Sequence, residues 1–415
     1  MKKLLESSIF SGVLVVTVGS FIGSAFSYLL QIFLGRTLSL EDYGTFNTLL
    51  SFSTILGVLG GAFSNSVIKR VSALKAECRF DTLTLLFWRL SFYCLLFGAL
   101  FSLVLIALRS GFAQFFNISN TQVLVSFSVL MGLTFLGSLP RAYLQGLLRF
   151  KALAFWSVFA AFTRLVFPVG AVFAHLGLPG VFYGMVLGSI ASFLISIALL
   201  NKNFESCNKE QAMTQHYRQI LKLVGPIVFI QVGLTLLNNM DVILVKRLFD
   251  PESAGIYAGV VTIGKVLLFG AGAIGTIMFP VVAEAFSLGQ DYKKALNKFL
   301  PLQLVFVLGS GAVFAFFPRF ITLLMFGERF LPAVDYIPLF TFFISSYIMV
   351  NFFILYFMAI EKFLVTYILG GGVLLQVLLI WKFATSLNGV VLINSAVTLV
   401  VLILLVSYYV VLKSD

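Results

Sequence analysis

Charged residues are scarce in this chain of 415 residues. Asp, Glu, Lys and Arg together make up only 11% of it, whereas soluble globular proteins carry about 25% charged residues. Hydrophobic residues make up 60% of the chain, and the mean hydropathy is +1.05. A soluble fold of this size could not bury so much apolar surface, which excludes a cytosolic enzyme, a secreted disulfide scaffold and a disordered tail. The composition predicts a polytopic, all-α membrane protein.

Cysteine and histidine are also rare. Cys78, Cys94 and Cys207 form no C-x-x-C pair, and there are only two histidines. This composition supports neither a zinc site nor a disulfide framework, so we expect no metal and no other cofactor. The net charge of +12 includes no contiguous basic run. We therefore interpret the basic residues as signals for membrane orientation, and we expect no nucleic-acid partner.

Twelve apolar stretches are each long enough to span a bilayer as a helix of about 20 residues. They are 9–34, 44–65, 83–108, 121–147, 153–175, 177–200, 220–245, 254–282, 299–323, 332–358, 363–382 and 388–412. The first stretch is far longer than the 7–15 apolar residues of a cleaved signal peptide, so we interpret it as a retained span.

The distribution of basic residues predicts the orientation of these spans. With both termini in the cytoplasm, seventeen of the 28 Lys and Arg residues lie in cytoplasmic segments or at the cytoplasmic ends of spans, seven lie on the outer side and four lie deeper within the spans. This asymmetry satisfies the positive-inside rule for an even number of spans.

An internal repeat with a period near 211 divides the chain into two halves of parallel orientation. Shifting residues 36–46 by 211 aligns Arg36, Glu41 and Gly44 with Arg247, Glu252 and Gly255. The repeated unit is a helical hairpin in which Ser39 or Asp250 can cap the second helix, with Pro251 at its first position. We predict six-helix bundles at 1–200 and 220–415, joined by a cytoplasmic linker at 201–219.

Polar stripes recur in both halves. Ser20, Ser24 and Ser27 share one face of the first span, and the repeat aligns them with Gln231, Thr235 and Asn238 of the seventh. Small hydroxyl residues often mediate helix packing in membranes, and this explanation stays open for the serines. The two amides favour a wet cavity between the halves, as in parallel-repeat transporters.

Four cations lie well inside the spans, where each costs about 2.5–3.5 kcal/mol on insertion. Arg164 and Lys265 are far from the span ends and lack an obvious acidic partner, so we predict that they line the cavity; a buried structural pair is the alternative. Arg89 and Arg141 are nearer the cytoplasmic ends, where substrate binding competes with snorkelling to lipid headgroups. A cationic cavity favours an anionic substrate such as a diphosphate.

Asp241 is the only acid well inside a span. It is either an ion-coupling site whose protonation changes between states or the structural partner of Lys246, Arg247 or another basic group near the outer rim.

Four segments resemble the polysaccharide transporter, or oligosaccharide flippase, family of the exporter superfamily that also contains multidrug antiporters and the lipid II flippase. These segments are LGRTLSLEDYGTF at 34–46, QGLLRFK at 145–151, NMDVIL at 239–244 continuing to AGIY at 254–257, and GERF at 327–330.

The resemblance implies a bacterial inner-membrane flippase with twelve transmembrane helices and no enzymatic activity. Its substrate would be a polyprenyl (undecaprenyl) pyrophosphate-linked repeat unit of O-antigen, capsule or exopolysaccharide, moved from the cytoplasmic to the outer leaflet. The substrate-binding candidates are then Arg164, Lys265, Arg89, Arg141, Gln231, Asn238, Ser24 and Ser27. The resemblance further implies a proton or sodium as coupling ion, and a complex with a glycan polymerase and a chain-length regulator.

Two other classes remain open. A multidrug or small-solute antiporter of the same superfamily would be expected to carry a cavity acid in the first span, and residues 9–35 contain none. A membrane glycan polymerase or acyltransferase would be expected to present a catalytic constellation, often on a large outer loop, and the predicted outer loops are short.

Overall fold

A computed structural model of the protein describes residues 2–77, 80–201 and 217–414, and every regular element in these ranges is helical. Ten helices are long and apolar enough to cross a membrane, and two bent helix pairs raise the number to twelve if each pair is one span. The predicted all-α polytopic fold is therefore confirmed. Most of the predicted linker, including Cys207, lies outside the described residues, as does Cys78.

The first of two compact units comprises Met1–Leu38 and Leu56–Tyr217. Within it, α6 packs against α1 and α7, and α5 packs against α3 and α7. The helices that contribute to this unit are α1 (Lys2–Thr37), the second part of α2 (Leu40–Ala76), α3 (Phe80–Ala107), α4 (Arg109–Phe115), α5 (Thr121–Gly146), α6 (Phe150–Phe173) and α7 (Gly177–Asn201).

The second unit comprises Arg218–Asp415 together with Ser39–Ile55, the first part of α2. The sequence analysis assigned Ser39–Ile55 to the first bundle, so the unit boundary runs through a helix and not only through the linker. The other elements of this unit are α8 (Tyr217–Leu237), α9 (Met240–Leu248), α10 (Pro251–Ser287), α11 (Tyr292–Phe316), α12 (Pro318–Met325), a 3₁₀ helix (Glu328–Tyr336), α13 (Ile337–Ala359), α14 (Val365–Phe383) and α15 (Leu387–Ser414).

The predicted helix caps of the repeated hairpins are confirmed. The Ser39 hydroxyl accepts a hydrogen bond from the Asp42 N–H at 3.1 Å, and the Asp250 carboxylate accepts one from the Ser253 N–H at 2.9 Å. Pro251 occupies the first turn of α10. Hydrogen bonding by the Ser253 N–H holds the pKa of the exposed Asp250 carboxyl below its usual value.

The glycines shared by the two hairpins meet at a helix crossing within the second unit. A Cβ atom on Gly44 would lie 2.8 Å from the Gly255 nitrogen, and one on Gly255 would overlap the Leu40 carbonyl. Only glycine allows the backbones of α2 and α10 to approach so closely. This crossing explains why glycine recurs at both positions of the repeat.

The predicted continuous span 220–245 is wrong in one respect. Two helical segments, Ile227–Leu237 and Met240–Leu248, meet at an angle of 41°. The break falls at Asn238 and Asn239, and the Asn239 side chain donates to the backbone carbonyl of Thr235. It places polar side chains and unpaired backbone carbonyls at membrane depth, where they need partners.

Candidate functional site

The candidate site of the second unit is built around the break between α8 and α9. Carbonyl groups in the last turn of α8 lack helical partners and are bound by side chains instead. The Gln376 amide donates to the Leu237 carbonyl at 3.0 Å, and the Asn239 amide donates to the Thr235 carbonyl at 2.8 Å. These bonds satisfy two of the carbonyls at the broken helix.

Asp241 lies in the first turn of α9 and is fully buried. Its Oδ2 atom accepts hydrogen bonds from the Tyr257 hydroxyl at 2.7 Å and from the Asn394 amide at 3.2 Å. Asn394 in turn accepts a hydrogen bond from Gln376 at 2.8 Å. Four polar side chains from α9, α10, α14 and α15 therefore form one continuous network.

Lys265 belongs to the same cluster. Its ammonium group donates to Asn239 Oδ1 at 3.0 Å, and it lies close enough to Asp241 for their charges to attract each other. Asp241 therefore interacts with Lys265 through charge, as in the buried structural pair that the sequence analysis leaves open for Lys265. Because α10 packs against α9, this cation faces the helix break and its carboxylate.

Several buried oxygen atoms around the network have no hydrogen-bond partner among the described residues. They include Asp241 Oδ1, Gln376 Oε1 and, on the adjacent residues of the break, Asn238 Oδ1. Thr398 Oγ1, one turn beyond Asn394 on α15, has none either. Buried polar atoms without partners are costly, so these oxygens mark where the network lacks hydrogen-bond donors.

The proposed structural pairing of Asp241 with Lys246 is not found. Lys246 is fully buried on α9, and its ammonium makes no hydrogen bond to any described residue. Its electrostatic partners are Glu41 and Asp42, in the first turn of α2. The basic group that interacts with Asp241 is Lys265 instead.

A second polar contact joins α2 to α10 one turn from the network. The Tyr43 hydroxyl donates to Thr262 Oγ1 at 3.0 Å, and Tyr43 is fully buried against the rings of Phe326 and Phe330. The first part of α2 is therefore an integral wall of the second unit.

The predicted cations of the first unit have exposed side chains. Arg164 on α6 makes no hydrogen bond or ion pair with any residue that the structure describes, and its neighbour Thr163 contacts Ser192 Oγ at 3.1 Å. Arg89 lies on the exposed stripe of α3 that also carries Leu85 and Phe92.

The remaining candidates divide between the two units. Ser24 and Ser27 donate to carbonyls four residues earlier within α1, Arg141 is exposed near the end of α5, and Gln231 is exposed on α8. The structure therefore brings together Lys265, Asn238 and Asp241 within the second unit. Ser24, Ser27, Arg89, Arg141 and Arg164 belong to the first unit.

Sequence reasoning gave no site role to the partners that complete the network: Asn239, Tyr257, Gln376 and Asn394. A usable signal existed for two of them, because Gln376 and Asn394 are amides well inside largely apolar spans. Asn239 and Tyr257 entered only as members of the segments 239–244 and 254–257, which carry the family resemblance.

Comparison with known proteins places this geometry in a wider context. No curated protein sequence matches the chain. Among solved structures, an inward-facing multidrug resistance MATE family transporter of the MOP superfamily has a TM-score of 0.73 at 12% identity, with 97% of this chain and 99% of that chain covered.

Two further solved structures share the fold. The MATE multidrug transporter DinF-BH has a TM-score of 0.68 at 14% identity, covering 98% of this chain and 95% of that chain. The lipid II flippase MurJ, in an inward closed conformation, has a TM-score of 0.65 at 15% identity, covering 95% and 87%. At such identities the likeness establishes the fold alone.

The family assignment comes from sequence. The profile of a family described as "Polysaccharide biosynthesis protein" matches residues 9–286, about two thirds of the chain. The match includes α1 to α10 and therefore both hairpins of the repeat, the helix break, Asp241 and Lys265. The chain belongs to the polysaccharide biosynthesis protein family.

Proposed function

We propose that this protein is a flippase that moves polyprenyl pyrophosphate-linked oligosaccharide repeat units from the cytoplasmic to the outer leaflet of a bacterial inner membrane. The proposal rests on the excess of cations over acids at mid-span positions. Arg164 in the first unit and Lys265 in the second are both cations, whereas Asp241 is the single acid well inside a predicted span. The substrate is a repeat unit of O-antigen, capsule or exopolysaccharide, and the protein is a transporter with both termini in the cytoplasm.

The chemistry of a diphosphate suits these cations. Arg164 offers a forked set of donors for phosphate oxygens, and Lys265 offers a compact charge on a flexible stem. Exposed polar side chains on α1 and α8, including Ser27 and Gln231, add hydrogen bonds for sugar hydroxyls. Alternating access between the two units delivers the head group to the outer leaflet while the polyprenyl chain stays in the bilayer.

Asp241 is the proposed coupling site. Its carboxylate is buried, holds two hydrogen bonds on Oδ2 and leaves Oδ1 without a partner. Binding of a proton or a sodium ion there neutralises the charge that attracts Lys265. The ammonium then interacts more strongly with the anionic substrate, which links ion binding to substrate binding.

A multidrug antiporter is the second candidate, since two of the structurally similar proteins are MATE transporters. A lipophilic cation would be repelled by Arg164 and Lys265, and residues 9–35 offer no acid to attract it. The charge balance therefore favours the flippase.

A deletion strain separates the two functions. We expect loss of a surface polysaccharide, accumulation of its lipid-linked precursor on the cytoplasmic side, and unchanged resistance to cationic dyes. Wild-type protein supplied on a plasmid should restore the glycan. A deletion strain that keeps its glycan and becomes dye-sensitive would replace the flippase with the drug antiporter.

The proposed orientation has its own test. A membrane-impermeant thiol reagent should label Cys207 only after permeabilisation, because the basic residues place the linker in the cytoplasm. The measurement needs a variant in which Cys78 and Cys94 are replaced by serine. As a matched control, Ser386→Cys between α14 and α15 should be labelled in intact cells. Labelling of Cys207 from outside would overturn the orientation.

A further inference from the structure

A short helix, α12, follows α11 on the side of the membrane that the basic residues predict to be the outer one. Phe317, between the two helices, has the non-helical dihedral angles φ −119° and ψ 41°, and Pro318 begins α12. The predicted span 299–323 therefore combines the end of α11 with a separate helix. This helix packs chiefly against the 3₁₀ helix of the second unit.

Apolar side chains occupy two sides of α12, and protein covers only one of them. Ile321, Thr322 and Met325 are buried, and the Thr322 hydroxyl donates to a carbonyl one turn earlier in the same helix. Phe320 and Leu324 lie on the other side of the helix and are 65% and 63% exposed. The uncovered side therefore needs an apolar environment outside the protein.

Aromatic rings and a cation border this uncovered side. Phe316 and Phe317 are 80% and 60% exposed directly before α12. Arg319, in the first turn, is also exposed, and its guanidinium forms no hydrogen bond or ion pair within the described part of the chain. Apolar rings beside a cation are typical of segments at the boundary between hydrocarbon and lipid headgroups, because the rings enter the hydrocarbon while the cation stays among the headgroups.

The internal repeat places the same element in the first unit. Shifting residues 109–117 by 210 aligns Arg109 with Arg319 and Phe116 with Phe326. Arg109 begins α4, is exposed and has no polar partner among the described residues. Phe116 and Phe326 are both buried, so each fixes the end of its short helix to its own unit.

Both short helices are also followed by the same turn. Asn117 has a φ of 51° and Gly327 a φ of 79°. This left-handed region is open to glycine, and asparagine adopts it more readily than most other residues. A cation, a short helix, a buried phenylalanine and a left-handed turn therefore recur together, which indicates a shared role.

We propose that α12 lies in the headgroup layer of the outer leaflet, with Phe320 and Leu324 in the hydrocarbon and Arg319 bound to the phosphate of an anionic phospholipid. A guanidinium binds phosphate through forked, charge-assisted hydrogen bonds, and the lipid supplies the partner that the protein does not. The helix holds the outer end of the second unit at a fixed depth, and α4 with Arg109 is its counterpart in the first unit. This inference depends on the proposed orientation and not on the transported substrate.

Depth-dependent fluorescence quenching tests the position of α12. Leu324→Cys is introduced into the full chain after the three native cysteines have been replaced by serine, labelled with a fluorophore and reconstituted into nanodiscs of phosphatidylcholine and phosphatidylglycerol. A nitroxide near the lipid headgroup should quench this fluorophore about threefold more strongly than a nitroxide at the end of the acyl chain. Leu308→Cys is the matched control: Leu308 is 69% exposed on α11, about 12 Å deeper than Phe316 along the helix, and its order of quenching should be reversed.

The headgroup contact is measured on the same labelled Leu324→Cys protein. Nitroxide-labelled phosphatidylglycerol should be enriched next to the fluorophore about fivefold over phosphatidylcholine that carries the same nitroxide, as expected for one cation near a membrane surface. Arg319→Gln should lower this ratio to about one, whereas Arg319→Lys should keep most of it, because a lysine retains the charge. Lys382→Gln is the control, since it removes an exposed cation at the end of α14, and it should leave the ratio unchanged.

Three results would overturn the proposal. Stronger quenching of Leu324→Cys from the end of the acyl chain, or by aqueous iodide, would show that α12 does not lie in the headgroup layer. Equal quenching by the two lipids, or a preference that survives Arg319→Gln, would show that the guanidinium does not select an anionic headgroup. A preference that inorganic phosphate abolishes, but potassium chloride of equal ionic strength does not, would show that Arg319 binds a soluble anion. None of these measurements needs transport, so they stand apart from the test of the flippase function.

Discussion

Replacing Lys265 with alanine is expected to reduce glycan export about tenfold to a hundredfold while leaving membrane insertion largely intact. A hydrogen bond to a charged group contributes about 1.5–3 kcal/mol, and a diphosphate loses this contact when the ammonium is removed. Arg164→Ala should have an effect of similar size. The measurement is surface polysaccharide per unit of membrane-inserted protein.

Charge-conserving variants separate a binding role from a structural one. Lys265→Arg keeps a cation near Asn239 and Asp241, so it should retain more export than Lys265→Ala. An exposed mid-span leucine replaced by alanine, such as Leu378→Ala, should leave export unchanged. Full export by both alanine variants at wild-type protein levels would contradict the assignment of these cations to the substrate.

Asp241→Asn is the second change with a large expected effect. Asparagine has nearly the same shape and can still accept hydrogen bonds from Tyr257 and Asn394, but it cannot bind and release a proton and carries no charge for sodium. We expect flipping driven by an ion gradient to fall about tenfold or more, while flipping of the substrate in the absence of a gradient persists. Flipping rates with and without an imposed proton or sodium gradient measure this difference.

A double variant tests whether Asp241 merely neutralises Lys265. If neutralisation is its only role, the double variant Asp241→Asn, Lys265→Gln should respond to an imposed gradient as the single variant Lys265→Gln does. Coupling requires the carboxylate itself, so flipping rates with and without the gradient should be equal in the double variant, although they differ in Lys265→Gln. An equal gradient response in these two variants would contradict the coupling role.

The number and approximate bounds of the spans could be predicted because apolar length is a strong signal in one dimension. The helix caps could also be predicted from a local signal, because Ser39 and Asp250 bind N–H groups only three residues further along the chain. The bend at Asn238 and Asn239 could not, because two polar residues in an apolar run do not by themselves distinguish a break from a polar stripe.

The network around Asp241 was predicted only in part. Asp241, Asn238 and Lys265 stand out singly because polar and charged residues within spans are costly. Their arrangement depends on contacts between distant segments: Asn394 is 153 positions from Asp241, and Gln376 is 139 positions from Leu237. No local pattern encodes such pairings. The same limit explains why the sequence shows no obvious acidic partner for Lys265, whereas the packing of α10 on α9 brings its charge near Asp241.

The placement of Ser39–Ile55 in the second unit also depends on contacts between distant segments, so the sequence did not predict it. The repeat correctly paired the glycines of the two hairpins, but it did not predict that Gly44 and Gly255 would contact each other. Their contact depends on the close crossing of α2 and α10, which the period of the repeat does not specify.

Translocation by the purified protein in proteoliposomes tests the central claim most directly. A polyprenyl pyrophosphate-linked oligosaccharide is placed in one leaflet, and its appearance in the other is followed by a membrane-impermeant reagent that modifies the sugar. The account predicts translocation by the wild type, a strong reduction in Lys265→Ala and no uptake of a cationic dye under the same gradient. Gradient-driven movement of the dye without movement of the glycan would contradict it.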